Sequence, residues 1–219
     1  MAKLVWDQLS EKVYETGADR GVLYTASEKD IYGNGVAWNG LLGFDESPSG
    51  AEATKLYADN INYATMYSAE EYSGTIRAYT YPDEFEACDG SVEIAPGVVA
   101  GQQNRKSFGF CYRTLIGNDT AGTDYGYKIH IVYGAKASPS SKSYQTINDS
   151  PEAVEFSWEV TTTPVTVSGH NPTATLVIDS TKVTPAALTK IEAALFGTDS
   201  EEAHLPLPDE ILELAKTTA

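Results

Sequence analysis

Three successive runs between residues 108 and 164 alternate apolar and polar side chains with a period of two. In the first, Phe108, Phe110, Tyr112, Thr114 and Ile116 fall on one side, and Ser107, Gly109, Cys111, Arg113 and Leu115 on the other. In the second, Tyr127, Ile129, Ile131 and Tyr133 oppose Lys128, His130 and Val132; in the third, Val154, Phe156, Trp158 and Val160 oppose Glu155, Ser157, Glu159 and Thr161. Successive strand residues point to opposite faces, so each run predicts a strand with one core face and one wetter face, the habit of an antiparallel sheet. Residues 117–124 are rich in Gly, Asn and Asp and predict a longish hairpin loop between the first two runs.

Shorter alternating pieces at 22–26, 32–38, 53–60, 73–81, 165–167 and 174–179 predict further strands, and 91–104 a strand or extended loop. The first forty residues otherwise mix a short helical possibility with glycine-punctuated extended pieces, and 135–143 has the composition of a linker. Helix signals are few but well formed. Pro82, Asp83 and Glu84 suit a helix start and Gly90 its end, which predicts a two-turn helix over 82–89 with Phe85 and Cys88 facing the sheet. Thr184 as N-cap, Pro185, the stripe Leu188, Ile191 and Leu195, and Gly197 as the stop predict a second helix, and 209–216 a short last one. The expected fold is mainly β, a β-sandwich or flattened barrel with a short flanking α-helix and a C-terminal helical extension. Phe85, Phe110, Tyr112, Ile129, Ile131, Phe156, Trp158 and Val160 are its expected core.

The stretch 60–73 is unusually aromatic for a connection. Tyr63, Met66, Tyr67 and Tyr72 would be costly as a bare surface patch, so the segment is expected to be an extended loop or protruding hairpin used in contacts between subunits.

Several segments also carry a family resemblance: FGFCYRTLIGND at 108–119, GYKIHIVYG at 126–134, NDSPE at 148–152 with FSWEVT at 156–161, YADN at 57–60, YTYPDEF at 79–85 with CDG at 88–90, and LPLPD at 205–209. Together they resemble the major tail protein, or tail tube protein, of long-tailed non-contractile bacteriophages (siphophages). That resemblance implies a β-sandwich tail-tube domain over 1–180 and a helical extension over 181–219. It implies six copies closing into a ring and rings stacking into a tube whose inner strands form one continuous barrel. The lumen would hold the tape-measure protein and pass double-stranded DNA during ejection, with tail terminator and distal tail proteins as further partners. The virion tail, assembled in the host bacterial cytoplasm, is the location it implies.

Charge and chemistry agree with a role in assembly. Lys and Arg number 15 against 31 Asp and Glu, a formal net charge of −16, and no basic run is present, which argues against tight nucleic-acid binding. Acids facing a lumen would repel DNA phosphates, and Asp59, Glu70 and Glu71 are the candidates. Cys88 and Cys111 are too few for a disulfide framework, and the N-terminal stretch lacks the apolar run of a signal peptide. His130, His170 and His204 are widely separated without ligand spacing; Asp119 and Asp124 flank a turn lacking the EF-hand pattern. No nucleophile elbow or phosphate loop is present, so neither enzyme activity nor a cofactor is expected. Asn118 and Asn148 begin glycosylation-type triplets that are more simply turns. The alternative reading is a glycan-binding β-sandwich using Trp38, Tyr67, Tyr72 or Tyr144.

Overall fold

The computed structural model describes residues 3–147, 149 and 152–216. Its strands are β1 (Val13–Glu28), β2 (Ile31–Trp38), β3 (Leu41–Glu46), β4 (Ser49–Gly50), β5 (Ala53–Ala58), β6 (Ile61–Tyr67), β7 (Glu70–Glu71), β8 (Ser73–Ala78), β9 (Val92–Ala95), β10 (Val98–Ala100), β11 (Phe108–Asn118), β12 (Gly122–Ala137), β13 (Phe156–Thr162), β14 (Val165–Val167), β15 (His170–Thr173) and β16 (Thr175–Asp179). A 3₁₀ turn at Asp83–Phe85 leads into α1 (Glu86–Asp89); α2 (Pro185–Phe196) and α3 (Pro208–Ala215) follow the last strand. The Asn148, Ser150 and Pro151 positions of the NDSPE segment lie outside the described residues.

The chain is mainly β, with the short flanking helix and C-terminal helices that its pattern predicts. One antiparallel sheet runs β2-β1-β11-β12-β13-β8-β3, with β16 added to β12. The sheet curls without closing: β3 returns beside β1, where Leu41 packs at Gly21, but the path ends at β2 and β3. At β12 it forks. Lys128–Val132 pairs with β16 and Ala135–Ala137 with β13. Between them Gly134 sits at φ 56°, and a Cβ there would stand 2.3 Å from the Thr163 carbonyl oxygen, so only glycine lets the two partners diverge at this point.

The wetter face expected of β13 is exposed at Glu155, Glu159 and Thr161, but those of β11 and β12 are largely covered. The concave side holds Leu23, Trp38, Ile76, Phe85, Phe108, Phe110, Tyr112, Val132, Trp158 and Val160, closed by Phe85 of the 3₁₀ turn and Cys88 of α1, with Phe156 half-buried against it. On the convex side, α2 and α3 cover Tyr24, Cys111, Ile129, Ile131, Tyr133 and Ile178. Cys111 and His130, both assigned by alternation to wetter faces, are therefore buried, Cys111 beneath the helices and His130 on the concave side. Burial pushes the Cys111 thiol up and the Cys88 thiol up to about 12, which keeps both protonated.

Two further local expectations change. Among the described residues of the first forty no helix forms; β1 runs 16 residues there, with bulges where Gly17 and Arg20 take φ 66° and 50°. The linker expected at 135–143 begins as strand, since β12 continues to Ala137. The loop between β11 and β12 is also tighter than expected: Asn118 Oδ1 accepts from Thr120 N at 3.1 Å and Ala121 N at 2.5 Å, closing the chain over three residues.

Candidate assembly surface

Beyond the fork the sheet narrows to a four-stranded wing: the first half of β1, the second half of β11, the first half of β12, and β16. Its two outer strands are each paired on one side only. β2 pairs β1 from Gly21 onward, leaving Val13–Asp19 without a second neighbour, and β16 pairs β12 alone. Tyr133 N donates to Ala174 O at 2.8 Å and Ser180 N to Tyr127 O at 3.0 Å, so even-numbered residues of β16 face the β12 ladder. The N–H and C=O groups of the odd-numbered residues then point away from β12. Thr173 Oγ1 engages both of those of Thr175 at 3.2 and 2.8 Å, the Asp179 carbonyl accepts from Lys182 N at 3.0 Å and Val183 N at 3.2 Å, and Val177 presents its pair to the open edge. The β2 edge is treated differently: Gly35 N donates to Ala203 O at 2.7 Å, and the connector before α3 lies along it. Natural sheets cover or blunt their edges, so two open ones on the same small wing are informative.

One face of the wing lies under α2, tied down by a polar chain. Arg113 donates to both carboxylate oxygens of Asp19 at 2.7 and 2.6 Å, stands 5.0 Å over the Tyr127 ring, and Tyr127 Oη donates to Glu192 at 2.8 Å. The guanidinium holds the Asp19 carboxyl below the usual range. The opposite face carries Glu15 paired with Lys128, then Asp179 opposite Lys128 in the ladder, and Val177, 51% exposed. Lys128 is paired with Glu15, and Lys182 with Asp179 at 3.2 Å.

Where the wing meets the body, His130 stacks on Tyr112 with centroids 4.6 Å apart. Its Nε2 lies 2.9 Å from Thr114 Oγ1, its Nδ1 has no hydrogen-bond partner among the described residues, and Glu46 Oε1 sits 3.8 Å away while accepting from Tyr112 Oη at 3.0 Å. Burial holds the imidazole below its ordinary value despite the carboxylates of Glu46 and Glu15.

The second feature is an arm. β3 and β8 continue outward through β4–β7 into the β5–β6 hairpin, stitched by Ser47 N to Ser73 O at 2.8 Å and Ala51 N to Ala69 O at 3.4 Å. At about 3.3 Å per residue the arm extends roughly 40 Å from Glu46 to its tip, where Asp59 and Asn60 both take positive φ, as a tight hairpin turn requires. Tyr63, Met66 and Tyr67 are exposed on it, Tyr63 at 74% and Met66 at 59%. Tyr72 is elsewhere: it packs against the concave core, its ring 6.4 Å from Phe44. Asp59, Glu70 and Glu71 also belong to the arm, not to the wing.

The glycan-binding reading loses half of its aromatics. Trp38 is buried against Phe85 and Phe110 with Nε1 donating to Thr80 O at 2.9 Å, and Tyr72 is packed; of the four, Tyr67 and Tyr144 remain exposed. Among the described residues no group of three His, Cys, Asp or Glu side chains is placed to hold a metal ion, and no helix is long and apolar enough to cross a membrane. The wing residues Glu15, Lys128 and Val177 escaped sequence reasoning, because an edge is defined by missing neighbours and leaves no local trace.

The total exposed surface is 14034 Å². A compact monomer of 23.6 kDa would expose about 9,800 Å², so roughly 4,000 Å² is in excess, several times the roughly 800 Å² that each partner gives to a standard interface.

No protein-family model matches the chain, and no curated protein matches it. Among solved structures it is similar to a chain of the six-fold symmetrised baseplate of the anti-feeding prophage, at a TM-score of 0.37 and 7% identity, over 80% of this chain and 97% of that one. It is also similar to a chain of the PVC sheath–tube complex, an extracellular contractile injection system in its extended state, at a TM-score of 0.31 and 16% identity, over 73% of this chain and 88% of that one. Overlaps this loose carry no weight on what the chain does.

Proposed function

We propose that this chain is a structural subunit of a phage tail tube, one of six copies that close into a ring, the rings stacking into a hollow conduit for the tape-measure protein and then double-stranded DNA. The observation that supports it is the wing with one free edge on each side. Pairing β16 of one copy with the first half of β1 in the next removes both exposed edges at once. Because the two edges are different surfaces, the contact is heterologous and repeats until the rotation closes a ring. The number six, the stacking and the tape-measure protein come from the resemblance of the sequence to siphophage tail tube proteins. The open face of the wing suits a conduit: with Lys128 held by Glu15 and the exposed Lys182 held by Asp179 at 3.2 Å, each cation there already has a carboxylate partner and offers phosphates less to stop at. Purified protein imaged in negative stain, with its mass followed by light scattering as concentration rises, tests the proposal. Rings or tubes are expected; a monomer at every concentration overturns it.

A further inference from the structure

A second hairpin, β9–β10, also stands open. Val92, Ile94, Val98 and Val99 are all exposed on it, Ile94 at 67%. The segment that follows returns along α1, with Gln103 N donating to Gly90 O at 2.9 Å and Lys106 N to Ala87 O at 3.0 Å, and this brings Arg105 and Lys106 to the root of the hairpin. They are the only two adjacent cations in the sequence. Neither is in an ion pair with any carboxylate among the described residues, and Arg105 Nε is buried without a hydrogen-bond partner. In a chain of net charge −16, an unpaired basic doublet beside apolar strands needs a reason.

The arm presents the complementary arrangement. Its strands carry Leu56, Tyr57, Ile61, Tyr63, Met66 and Tyr67 exposed, and its root carries the acid doublet Glu70 and Glu71. Glu52 and Asp59 lie on the same arm, against Lys55 alone. We infer that the arm of one copy docks on the β9–β10 hairpin of another, apolar strands together, with Glu70 and Glu71 against Arg105 and Lys106. The inference rests on the tube-subunit proposal and names the surface that receives the arm. Charge complementarity chooses a second copy as the occupant: both halves of the contact belong to one chain, so every copy that donates an arm also offers a receiver. Such a contact is separate from the wing edges and joins copies a further arm's length away.

Charge reversal with reciprocal rescue tests it. The variants are Glu70→Lys with Glu71→Lys, Arg105→Glu with Lys106→Glu, and all four together, compared with wild type for sedimentable assembly. Each double reversal is expected to lower the assembled fraction by about tenfold or more, and the fourfold variant to restore it, since like charges facing across an interface oppose association and swapped ones do not. None of the four side chains is in an ion pair among the described residues, but Arg105 is half-buried whereas Lys106 is exposed, so Lys106→Glu alone is added as the variant whose melting temperature stays at the wild-type value and whose loss of assembly is not loss of folding. Copies carrying Met66→Cys mixed with copies carrying Ile94→Cys should form disulfide-linked dimers that neither gives alone. Normal assembly of either double reversal, or a fourfold variant as impaired as its parents, overturns the docking while leaving the tube-subunit proposal standing. A wild-type protein that never assembles overturns both.

Discussion

Trp158→Ala tests the concave core at its centre. The side chain is fully buried and its ring lies 5.1 Å from Phe85, 5.4 Å from Tyr81, 5.7 Å from Trp38 and 5.8 Å from Phe156. Truncating a buried Trp costs about 3–5 kcal/mol, and each lost ring pair adds about 0.5–1.5 kcal/mol where its geometry is favourable. Against this, the indole N–H is buried without a partner among the described residues, and removing it returns about 1–3 kcal/mol. A net loss of about 3–5 kcal/mol is a large share of the 5–15 kcal/mol typical of a domain. At about 2–4 °C per kcal/mol for a chain of this size, the melting midpoint followed by far-UV circular dichroism should fall by about 6–20 °C, or the variant should not fold. Trp158→Phe keeps a ring among the four neighbours and discards the orphan donor, so it should lose less than half as much. An alanine variant melting within about 2 °C of wild type would refute the packing described here, as would a phenylalanine variant as damaged as the alanine one.

Replacing residues 52–68 with an Asn-Gly turn should leave the melting temperature unchanged, because the β5–β6 hairpin forms a sheet of its own, and should abolish assembly in sedimentation; tubes of normal length would contradict the role of the arm. Val177→Pro removes an edge-facing N–H and leaves the β12 ladder intact, so the monomer should fold, by circular dichroism, and not close into rings in negative stain. Burial lowers the His130 pKa below 6.5, so the folded state favours neutral imidazole: the stabilisation is complete above about pH 6.5 and is lost progressively as pH falls from there to the folded value. Denaturant titrations from pH 7.5 to 5 should show that decline in wild type and a flatter profile in His130→Gln, whereas parallel profiles would assign the titration elsewhere.

What the sequence made legible were elements whose punctuation is local. Pro82, Asp83 and Gly90 bracket α1, and the Thr184 hydroxyl accepts from Ala187 N at 3.3 Å at the start of α2 as its N-cap position implies. Alternation located β11, β12 and β13 because their residues meet regular neighbours. It failed in β1, where bulges at Gly17 and Arg20 twice shift the register and scramble the period. It also assigned exposure wrongly, since period two separates faces but cannot say whether helices from the far end of the chain will cover one of them; Cys111 under α2 and α3 is the consequence. Trp38 and Tyr72 looked like free aromatics because burial of an isolated ring depends on distant partners, Phe85 and Phe110 for one and Phe44 for the other. The arm was visible as an aromatic excess at 60–73, but not its length, because strands with two open faces have no apolar side to reveal them.

The most direct measurement of the central claim is a cryo-microscopy map of the assembled protein at a resolution that traces strands. Edge-to-edge pairing predicts continuous strand density around the lumen, with β16 of each copy hydrogen-bonded to Val13–Asp19 of the next and Glu15, Lys128 and Val177 lining the channel. Tubes in which both wing edges face solvent, or in which copies meet through α2 and α3, would contradict it.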